Sequence, residues 1–303
     1  MFKNYIKIAW RNLINHPTFS VINILGLAVG MAVTIMIGLW VDSELSYNDH
    51  FPKKDKIAIV FQSQTFNDKT GTGPAIPRPL EKVLKTDYKD NFKHIVMSSW
   101  TQNRYLANGE ISISKQGNFI QKEGPDMLSI EMLEGQKNGL KDIDAILLSE
   151  SCAKALFGNE PALNKAVKLN SQYDLKVVGI YKDIPENNDF SDVDFMVSWE
   201  QYVQTNEWIK NAVDSWGNNS FQMFVELADN VTMASASTAI KDAKFDANED
   251  ARPFNPQLFL HPMVDWHLKN NFEDGKQAGG RIENVWLFGI IGLFVLLLAS
   301  IAS

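Results

Sequence analysis

Two long apolar runs dominate the pattern of hydrophobic and polar residues along the chain. Residues 18–41 contain no charged side chain, and neither do residues 285–303 at the other end. Because a helix rises 1.5 Å per residue, residues 18–41 would form a helix about 36 Å long, enough to cross the roughly 30 Å hydrocarbon core of a bilayer. The pattern predicts one transmembrane helix at residues 18–41 and a second at residues 283–303.

The first apolar run is interpreted as an uncleaved membrane anchor. A secretory signal peptide has a shorter apolar region and ends at a small-residue cleavage site, which does not follow this run. Within the run, Gly26 and Gly30 form a G-x-x-x-G pair, which permits another helix to approach closely. Glycine is also frequent in membrane helices in general, so a role of this pair in helix packing is a hypothesis.

The segment before the first run has a pattern of its own. Lys3, Lys7 and Arg11 are spaced by four and form one stripe on a helix. Apolar residues flank this stripe, and Trp10 suits a membrane interface. Residues 1–17 are therefore predicted to form an amphipathic elbow helix that binds membrane lipid on the cytoplasmic side. The alternative is a cytoplasmic extension of the first span.

Charges on either side of the first span predict its orientation. Only cations precede the span, whereas Asp42, Glu44 and Asp49 follow it. Basic segments are retained in the cytoplasm, so the N-terminus is expected inside and residues 42–282 outside. This outside block holds 26 of the 29 basic and 35 of the 36 acidic residues, a net charge of -9. The predicted location is the plasma (inner) membrane, with residues 42–282 in the periplasm.

The outside block shows the mixed periodicities of an α+β domain. An Asn108–Gly109 turn between short β runs predicts a hairpin. Ser149 and Thr232 are predicted helix caps, and Ser198 with Gln201 is typical of a capping box for a helix to about residue 210. The other predicted elements are strands at 57–62, 167–169, 175–180, 221–227 and 257–262, a helix from Pro79, and a flexible connector at 270–280.

Composition narrows the class of protein further. The chain has 303 residues, 45% hydrophobic and 21% charged, which is typical of folded proteins and excludes wholesale disorder. A single cysteine excludes an intramolecular disulfide framework. A net charge of -7 argues against a nucleic-acid partner. The mean hydropathy of -0.17 is ordinary for a soluble protein. It is an average over a polar, acidic block and two uncharged apolar spans.

The sequence contains no recognisable catalytic motif. A phosphate-binding P-loop, H-E-x-x-H, C-x-x-C and G-x-S-x-G are all absent. The two histidines of residues 261–267 are disfavoured as metal ligands because Pro262 interrupts the strand, and the aspartates of residues 189–194 lack the spacing of a calcium loop. Cys152 is interpreted as a core residue. We predict that the chain is not an enzyme and has no catalytic, cofactor-binding or metal-binding residues.

The order of these features resembles the MacB/FtsX-like permease family of ABC transporters, in the form common among Bacteroidota. The elbow and first span, residues 1–32, are similar to those of the family, as is the exit segment DSELSYNDHFPKKDKI. The domain segments that carry the resemblance are ILLSESCAKALFG, KVVGIYKDIPENNDFSDVDFMVS, WGNNSF and LHPMVDWHL.

The resemblance implies a permease subunit that transmits ATP-driven motion to a periplasmic domain for efflux or extraction of a cargo. ATP is bound by a separate cytoplasmic ABC ATPase subunit, so no cofactor is expected in this chain. The implied partners include a second permease, as a homo- or heterodimer, and a periplasmic adaptor. The implied domain has a porter-like part, residues 42–148 with about 229–282, and a smaller inserted lobe at 149–228. The resemblance does not specify the cargo.

The C-terminal end departs from the family pattern. Members continue into a cytoplasmic segment and further membrane helices, whereas this sequence stops at Ser303 within the second span. We therefore expect a fragment or a truncated gene product. A bitopic sensor with an extracytoplasmic ligand-binding domain has the same topology and is the main alternative; a membrane-anchored enzyme is the third. A sensor would continue into a signalling linker.

Overall fold

The computed structural model describes Lys7, Arg11, Ile14, Asn15 and residues 17–302. Lys3 and most of the predicted elbow at 1–17 lie outside the described residues. The chain divides into two compact units, one of residues 1–46 and 279–303 and the other of residues 47–278. We call the first the helix pair and the second the α/β domain.

The helix pair consists of α1 (Pro17–Leu45) and α9 (Arg281–Ala302). Both are long and apolar enough to cross a membrane. Helix α1 continues beyond the predicted end at Val41, because the backbone N–H of Ser46 still donates to the carbonyl of Asp42 at 2.9 Å. Asp42 and Glu44 therefore belong to the last helical turn, whereas Asp49 lies beyond the helix.

The α/β domain alternates short helices with strands. Its helices are α2 (Pro79–Asp87), α3 (Gly124–Met127), α4 (Glu150–Phe157), α5 (Trp199–Thr205), α6 (Glu207–Asn211), α7 (Met233–Ile240) and α8 (Ala243–Ala247). The first seven strands are β1 (Ile57–Phe66), β2 (Lys69–Gly73), β3 (Ile76–Pro77), β4 (Phe92–Ser98), β5 (Gln102–Asn108), β6 (Ile111–Ile120) and β7 (Met132–Gly135). The remaining strands are β8 (Ala145–Ser149), β9 (Ala166–Leu169), β10 (Tyr173–Tyr181), β11 (Phe195–Ser198), β12 (Asn219–Leu227), β13 (Gln257–Pro262), β14 (Phe272–Glu273) and β15 (Lys276–Gln277).

Thirteen of the strands form one mixed sheet. Its main order is β11-β8-β10-β9-β5-β6-β4-β12-β1-β13, with β2, β3 and β7 paired at its sides. Most neighbours are antiparallel, while β8 with β10 and β6 with β11 run parallel. This mixture of helices and a mainly antiparallel sheet confirms the α+β prediction.

The sheet is apolar on both faces because side chains alternate along each strand. In β1, Ala58 and Val60 join a core covered by helices α2 and α7, which we call the first core. Ile57 and Ile59 point to the opposite side and join a second core with Phe51 and other residues. Burial on both faces explains why β1 reads as a nearly continuous apolar run.

Several local predictions are confirmed. Ser149 caps α4, with its side chain accepting from the N–H of Cys152, and Thr232 caps α7 in a reciprocal box with Ser235. The predicted hairpin is formed by β5 and β6, but its turn is displaced by one residue. Asn108 still pairs with Ile111, so Gly109 and Glu110 make the turn. Gly109 has a φ of 58°, which favours glycine there.

Two local predictions are wrong. Ser198 makes no capping hydrogen bond, and the helix predicted to reach residue 210 breaks at Asn206, which has an extended backbone. The hydroxyl of Ser198 is buried and has no hydrogen-bond partner among the described residues. The predicted flexible connector at 270–280 contains the hairpin β14–β15. Its turn is Asp274–Gly275, with φ of 46° and 78°, a dipeptide that favours hairpin turns.

The division into a porter-like part and an inserted lobe stays a prediction. Residues 47–278 form a single compact unit. The segment 149–228 contributes β9, β10 and β11 to one half of the sheet, but its last strand, β12, lies between β4 and β1. A lobe starting at residue 149 would therefore have to end before β12.

Candidate functional site

The two helices of the helix pair pack antiparallel at small residues. A Cβ added to Gly30 would lie 2.6 Å from the Cβ of Ala299, and one added to Gly292 would lie 3.0 Å from Ile37. The contact at Gly30 leaves no room for a Cβ, whereas a Cβ at Gly292 would require Ile37 to shift by a few tenths of an ångström. Gly30 is therefore the glycine that most restricts the distance between the helices. A Cβ added to Gly26 meets no described atom within 4 Å. Of the predicted pair, only Gly30 therefore lies at the contact between α1 and α9.

Polar and aromatic contacts continue along the same line. The hydroxyl of Thr34 donates to the carbonyl of Gly30 at 2.9 Å and lies 3.4 Å from the carbonyl of Gly292. Trp40 and Phe288 meet edge to face, with ring centroids 5.1 Å apart. These residues recur every three or four positions on α1, so they share one face.

An ion pair joins the helices at the end of α1 and the start of α9. Arg281 donates through Nε and Nη2 to the two carboxylate oxygens of Glu44, at 2.9 and 2.7 Å. Glu44 is only 8% exposed. Two parallel charge-assisted hydrogen bonds fix the relative orientation of the groups as well as their distance. The sequence places an acid and a base at these two helix ends, so this pair was within reach of sequence reasoning but was missed.

The outward side of the helix pair is apolar. Large side chains there are mostly exposed, for example Trp286 at 69% and Leu298 at 65%. Such a continuous apolar surface is unfavourable in water but suits lipid. The candidate spans are Ser20–Leu45 and Arg281–Ile301.

A buried acid organises charges within the α/β domain. Glu226 on β12 is almost fully buried, and its two carboxylate oxygens lie 3.2 Å from Lys53 and 3.2 Å from Lys93. Lys53 belongs to the segment before β1, and Lys93 lies on β4. The acid thus ties the start of the domain to two strands of the sheet.

A buried lysine has amide oxygens instead of a carboxylate as partners. The ammonium of Lys244 donates to Gln62 at 2.7 Å and to Asn219 at 3.1 Å. Lys244 is 1% exposed, and burial lowers its pKa to about 8. Desolvation disfavours the charged form, and nearby amide oxygens only partly replace water. This residue stands on the short helix α8, where the sequence pattern gave no sign of burial.

The residues weighed in the sequence as chemical groups do not converge. Cys152 is buried, and burial raises the pKa of its thiol to about 12, so the thiolate is disfavoured. His261 lies within β13, whereas His267 stacks on Tyr47 with ring centroids 3.7 Å apart. Asp194 pairs with Lys115 at 3.0 Å. Among the described residues, no group of three or more potential metal ligands is found.

A cleft of about 350 Å³ opens in the α/β domain on the side of the second core. Strands β1, β12 and β13 form its floor, and the side chains alternate so that Phe61, Phe224 and His261 face it. Trp100 and Trp266 are among its other lining residues. The sequence shows aromatic residues in each of these strands, but strand order is needed to bring them together.

Comparison with known proteins places this architecture in a family. The family profile of the MacB-like periplasmic core domain matches residues 20–243. The uncharacterized ABC transporter permease YvrN of Bacillus subtilis is 22% identical over 193 residues, which are 59% of this chain and 46% of YvrN. The chain thus spans about half the length of this curated relative.

Two solved structures have a similar fold. A permease-protein domain from Porphyromonas gingivalis is 19% identical, with a TM-score of 0.56, covering 70% of this chain and 91% of that domain. The periplasmic region of MacB from Actinobacillus actinomycetemcomitans is 16% identical, with a TM-score of 0.50, covering 70% of this chain and 90% of that region. At these identities the likeness shows the fold.

The match confirms the family resemblance. It runs from the first candidate membrane helix over the exit segment and the first three domain motifs to the residues just after α7, whereas the elbow and the motif LHPMVDWHL lie outside the matched residues. The chain belongs to the MacB-like periplasmic core domain family, that of the MacB-type ABC transporter permeases.

Proposed function

We propose that the chain is the membrane permease segment through which a separate cytoplasmic ABC ATPase moves the periplasmic α/β domain. In this proposal α1 and α9 move as one body, and the motion serves efflux or extraction of a cargo without passage through the helix pair. The observation that supports this most is the bidentate pair of Glu44 and Arg281.

The contacts of the helix pair resist sliding of one helix along the other. Moving α9 by one turn, about 5.4 Å, in either direction would separate Arg281 from Glu44. In the direction that brings Val295 or Leu296 to Gly30, it would also place a larger side chain than that of Ala299 against this glycine. A hydrogen bond to a charged group contributes roughly 1.5–3 kcal/mol, more than an ordinary one. A pair held at both its polar end and its small-residue contact can transmit force with little internal deformation.

The orientation proposed for this function has the N-terminus in the cytoplasm. Lys7 and Arg11 precede α1 and are exposed, whereas Asp42 and Glu44 occupy its other end. Because cations are retained on the cytoplasmic side, this charge asymmetry supports an inner-membrane protein with its α/β domain in the periplasm. The proposed partners are the ATPase, a second permease in a homo- or heterodimer, membrane lipid at the elbow, and a periplasmic adaptor.

The test is to break the ion pair and then restore it with the charges exchanged. The permease would be reconstituted in nanodiscs with its ATPase. Double electron-electron resonance between spin labels would then measure the distance between the two α/β domains of a dimer, with and without ATP. We expect Arg281→Gln to reduce the ATP-dependent change in this distance. The exchange Glu44→Arg with Arg281→Glu should restore part of it.

The matched control is Lys56→Gln, which removes an exposed ion pair with Asp229 within the α/β domain. Exposed pairs contribute little, so this variant should behave like the unmodified protein. Binding of the ATPase to each variant is measured separately, so that loss of assembly is distinguished from loss of transmission. An unchanged ATP response in Arg281→Gln, with the ATPase bound, would contradict the proposal.

A further inference from the structure

The aromatic cleft of the α/β domain has the size and the lining of a small-molecule binding site. Its volume of about 350 Å³ falls in the range of roughly 300–1,000 Å³ typical of ligand pockets. Its walls are mainly apolar and aromatic, with a few polar groups among them. Pockets of this kind gain affinity by burying the apolar surface of a ligand, and their polar groups determine which ligand is bound.

Two buried polar atoms among the lining residues have no hydrogen-bond partner within the described part of the chain. They are Nε2 of His261 and Oδ1 of Asn118, in residues that are 5% and 2% exposed. An unpaired buried polar atom is destabilising because it has lost its hydrogen bonds to water without a replacement.

The hydrogen-bond network shows what Asn118 lacks. Its amide N–H donates to the hydroxyl of Ser98 at 3.3 Å, and that hydroxyl in turn lies within hydrogen-bond distance of the carbonyls of Ser99 and Phe119. Because the Ser98 proton is directed to a carbonyl, Asn118 must supply the N–H, and its unpaired oxygen is an acceptor. A ligand that completes this network has to provide a donor.

The two tryptophans of the cleft have their N–H groups already in use. Trp266 donates to the carbonyl of His261 at 2.7 Å, and Trp100 donates to the carbonyl of Ser220 at 3.0 Å. Both rings are therefore left to provide apolar surface. Burial lowers the pKa of His261 to about 4, so its imidazole is neutral at neutral pH. The lining contains no lysine or arginine, and Asp189 is its one carboxylate.

We propose that this cleft binds an uncharged aromatic molecule that carries a phenolic hydroxyl. The ring lies against Phe61, Phe224 and Trp266, and the hydroxyl donates to Oδ1 of Asn118. This hydrogen bond supplies the donor that the Asn118 network lacks. An anionic ligand is disfavoured because the lining offers a carboxylate and no cation. This site is independent of the proposed transmission of motion.

The experiment uses two water-soluble, uncharged probes that differ only in the hydroxyl. N-acetyl-L-tyrosinamide and N-acetyl-L-phenylalaninamide are titrated against the whole chain in nanodiscs, with binding measured by calorimetry and by saturation-transfer NMR. Empty nanodiscs give the background from lipid. We expect the tyrosine derivative to bind about 5-fold more tightly, because the roughly 0.5–1.5 kcal/mol net of a neutral hydrogen bond corresponds to about 2- to 13-fold.

Variants then locate the binding. Asn118→Leu removes the acceptor and should reduce the 5-fold preference to nearly none, while Trp100→Ala should weaken both probes because Trp100 is a partly exposed wall residue. Glu249→Gln, at an exposed ion pair outside the cleft lining, is the matched control and should change neither affinity. Circular dichroism and thermal melting verify that each variant is folded. No binding of the tyrosine derivative, or equal binding of both probes, would overturn the proposal.

Discussion

The helix pair and the α/β domain place the same types of apolar residue on opposite sides, outward in the helix pair and inward in the domain. In the helix pair, large apolar side chains point outward and glycine, alanine and threonine form the contact. In the α/β domain, the large apolar side chains are inside, and strands such as β1 are buried on both faces. Lipid gives no hydrophobic drive for helices to associate, so the pair depends on close packing and polar bonds, whereas the domain depends on burial.

The largest effect is expected from filling the helix contact. Gly30→Leu would overlap Ala299 and force the helices apart, at a cost of about 3 kcal/mol in the free energy of association, near the upper end of overpacking penalties. Disulfide crosslinking between cysteines placed on α1 and α9 measures the association. Gly26→Leu is the control, because a Cβ added at Gly26 meets no described atom within 4 Å. Equal loss in both variants would show that Gly30 has no special part in the contact.

The next effect concerns the buried cation of the α/β domain. The pKa of Lys244 is about 8 in the folded protein, below the ordinary 10.5, so the unfolded chain binds more protons between these values. The free energy of unfolding should therefore rise as the pH increases from about 8 to about 10.5, by on the order of 3 kcal/mol.

The control for this effect is Lys244→Met, which removes the titrating group and keeps an apolar chain of similar length. Chemical denaturation of both proteins across the pH range gives the difference between their curves, in which other titrating groups cancel. The difference should change through this pH window and be flat below it. Parallel curves would contradict the burial of a charged lysine.

A smaller effect is expected at the buried acid. Glu226→Gln keeps the shape of the side chain but removes the charge shared by Lys53 and Lys93. Because both lysines are partly exposed and can be rehydrated, the expected loss is about 1–2 kcal/mol in the free energy of unfolding. The loss should shrink at high salt, since the Debye length falls to about 3 Å at 1 M. A salt-independent loss would indicate a packing effect instead.

The smallest effect tests a backbone requirement of the domain. Gly109→Ala places a Cβ at a φ of 58°, in open space, so its cost of about 1 kcal/mol comes from backbone conformation alone. Gly71→Ala is the control, since it also meets no atom within 4 Å and its φ is outside the left-handed region. Thermal melting should show a lower midpoint for the first variant than for the second.

The sequence predicted the features whose causes are local. The two uncharged runs were enough to predict the two candidate membrane helices. Ser149 and Thr232 were enough to predict where two helices of the domain begin. The Ser198 motif failed because a cap needs its hydroxyl beside free N–H groups, whereas this hydroxyl is buried without a partner in the described part of the chain.

Features that depend on distant residues were out of reach of local patterns. The cleft combines side chains of β1, β6, β12 and β13, and the order of these strands is set by the whole fold. Lys244 meets Gln62 across 182 positions, and nothing near it in sequence signals burial. The hairpin at Asp274–Gly275 was different, because its dipeptide was a local signal that the flexible-connector interpretation passed over.

The central claim is that α1 and α9 move as one body while the α/β domain responds to ATP. Spin labels at Ile35 and Leu293, both exposed on the helix pair, report the distance between the helices directly. With the ATPase bound in nanodiscs, this distance should stay the same in the nucleotide-free and ATP-bound states. A shift approaching one helical turn, about 5.4 Å, would contradict transmission by a rigid pair and indicate that the helices slide past each other.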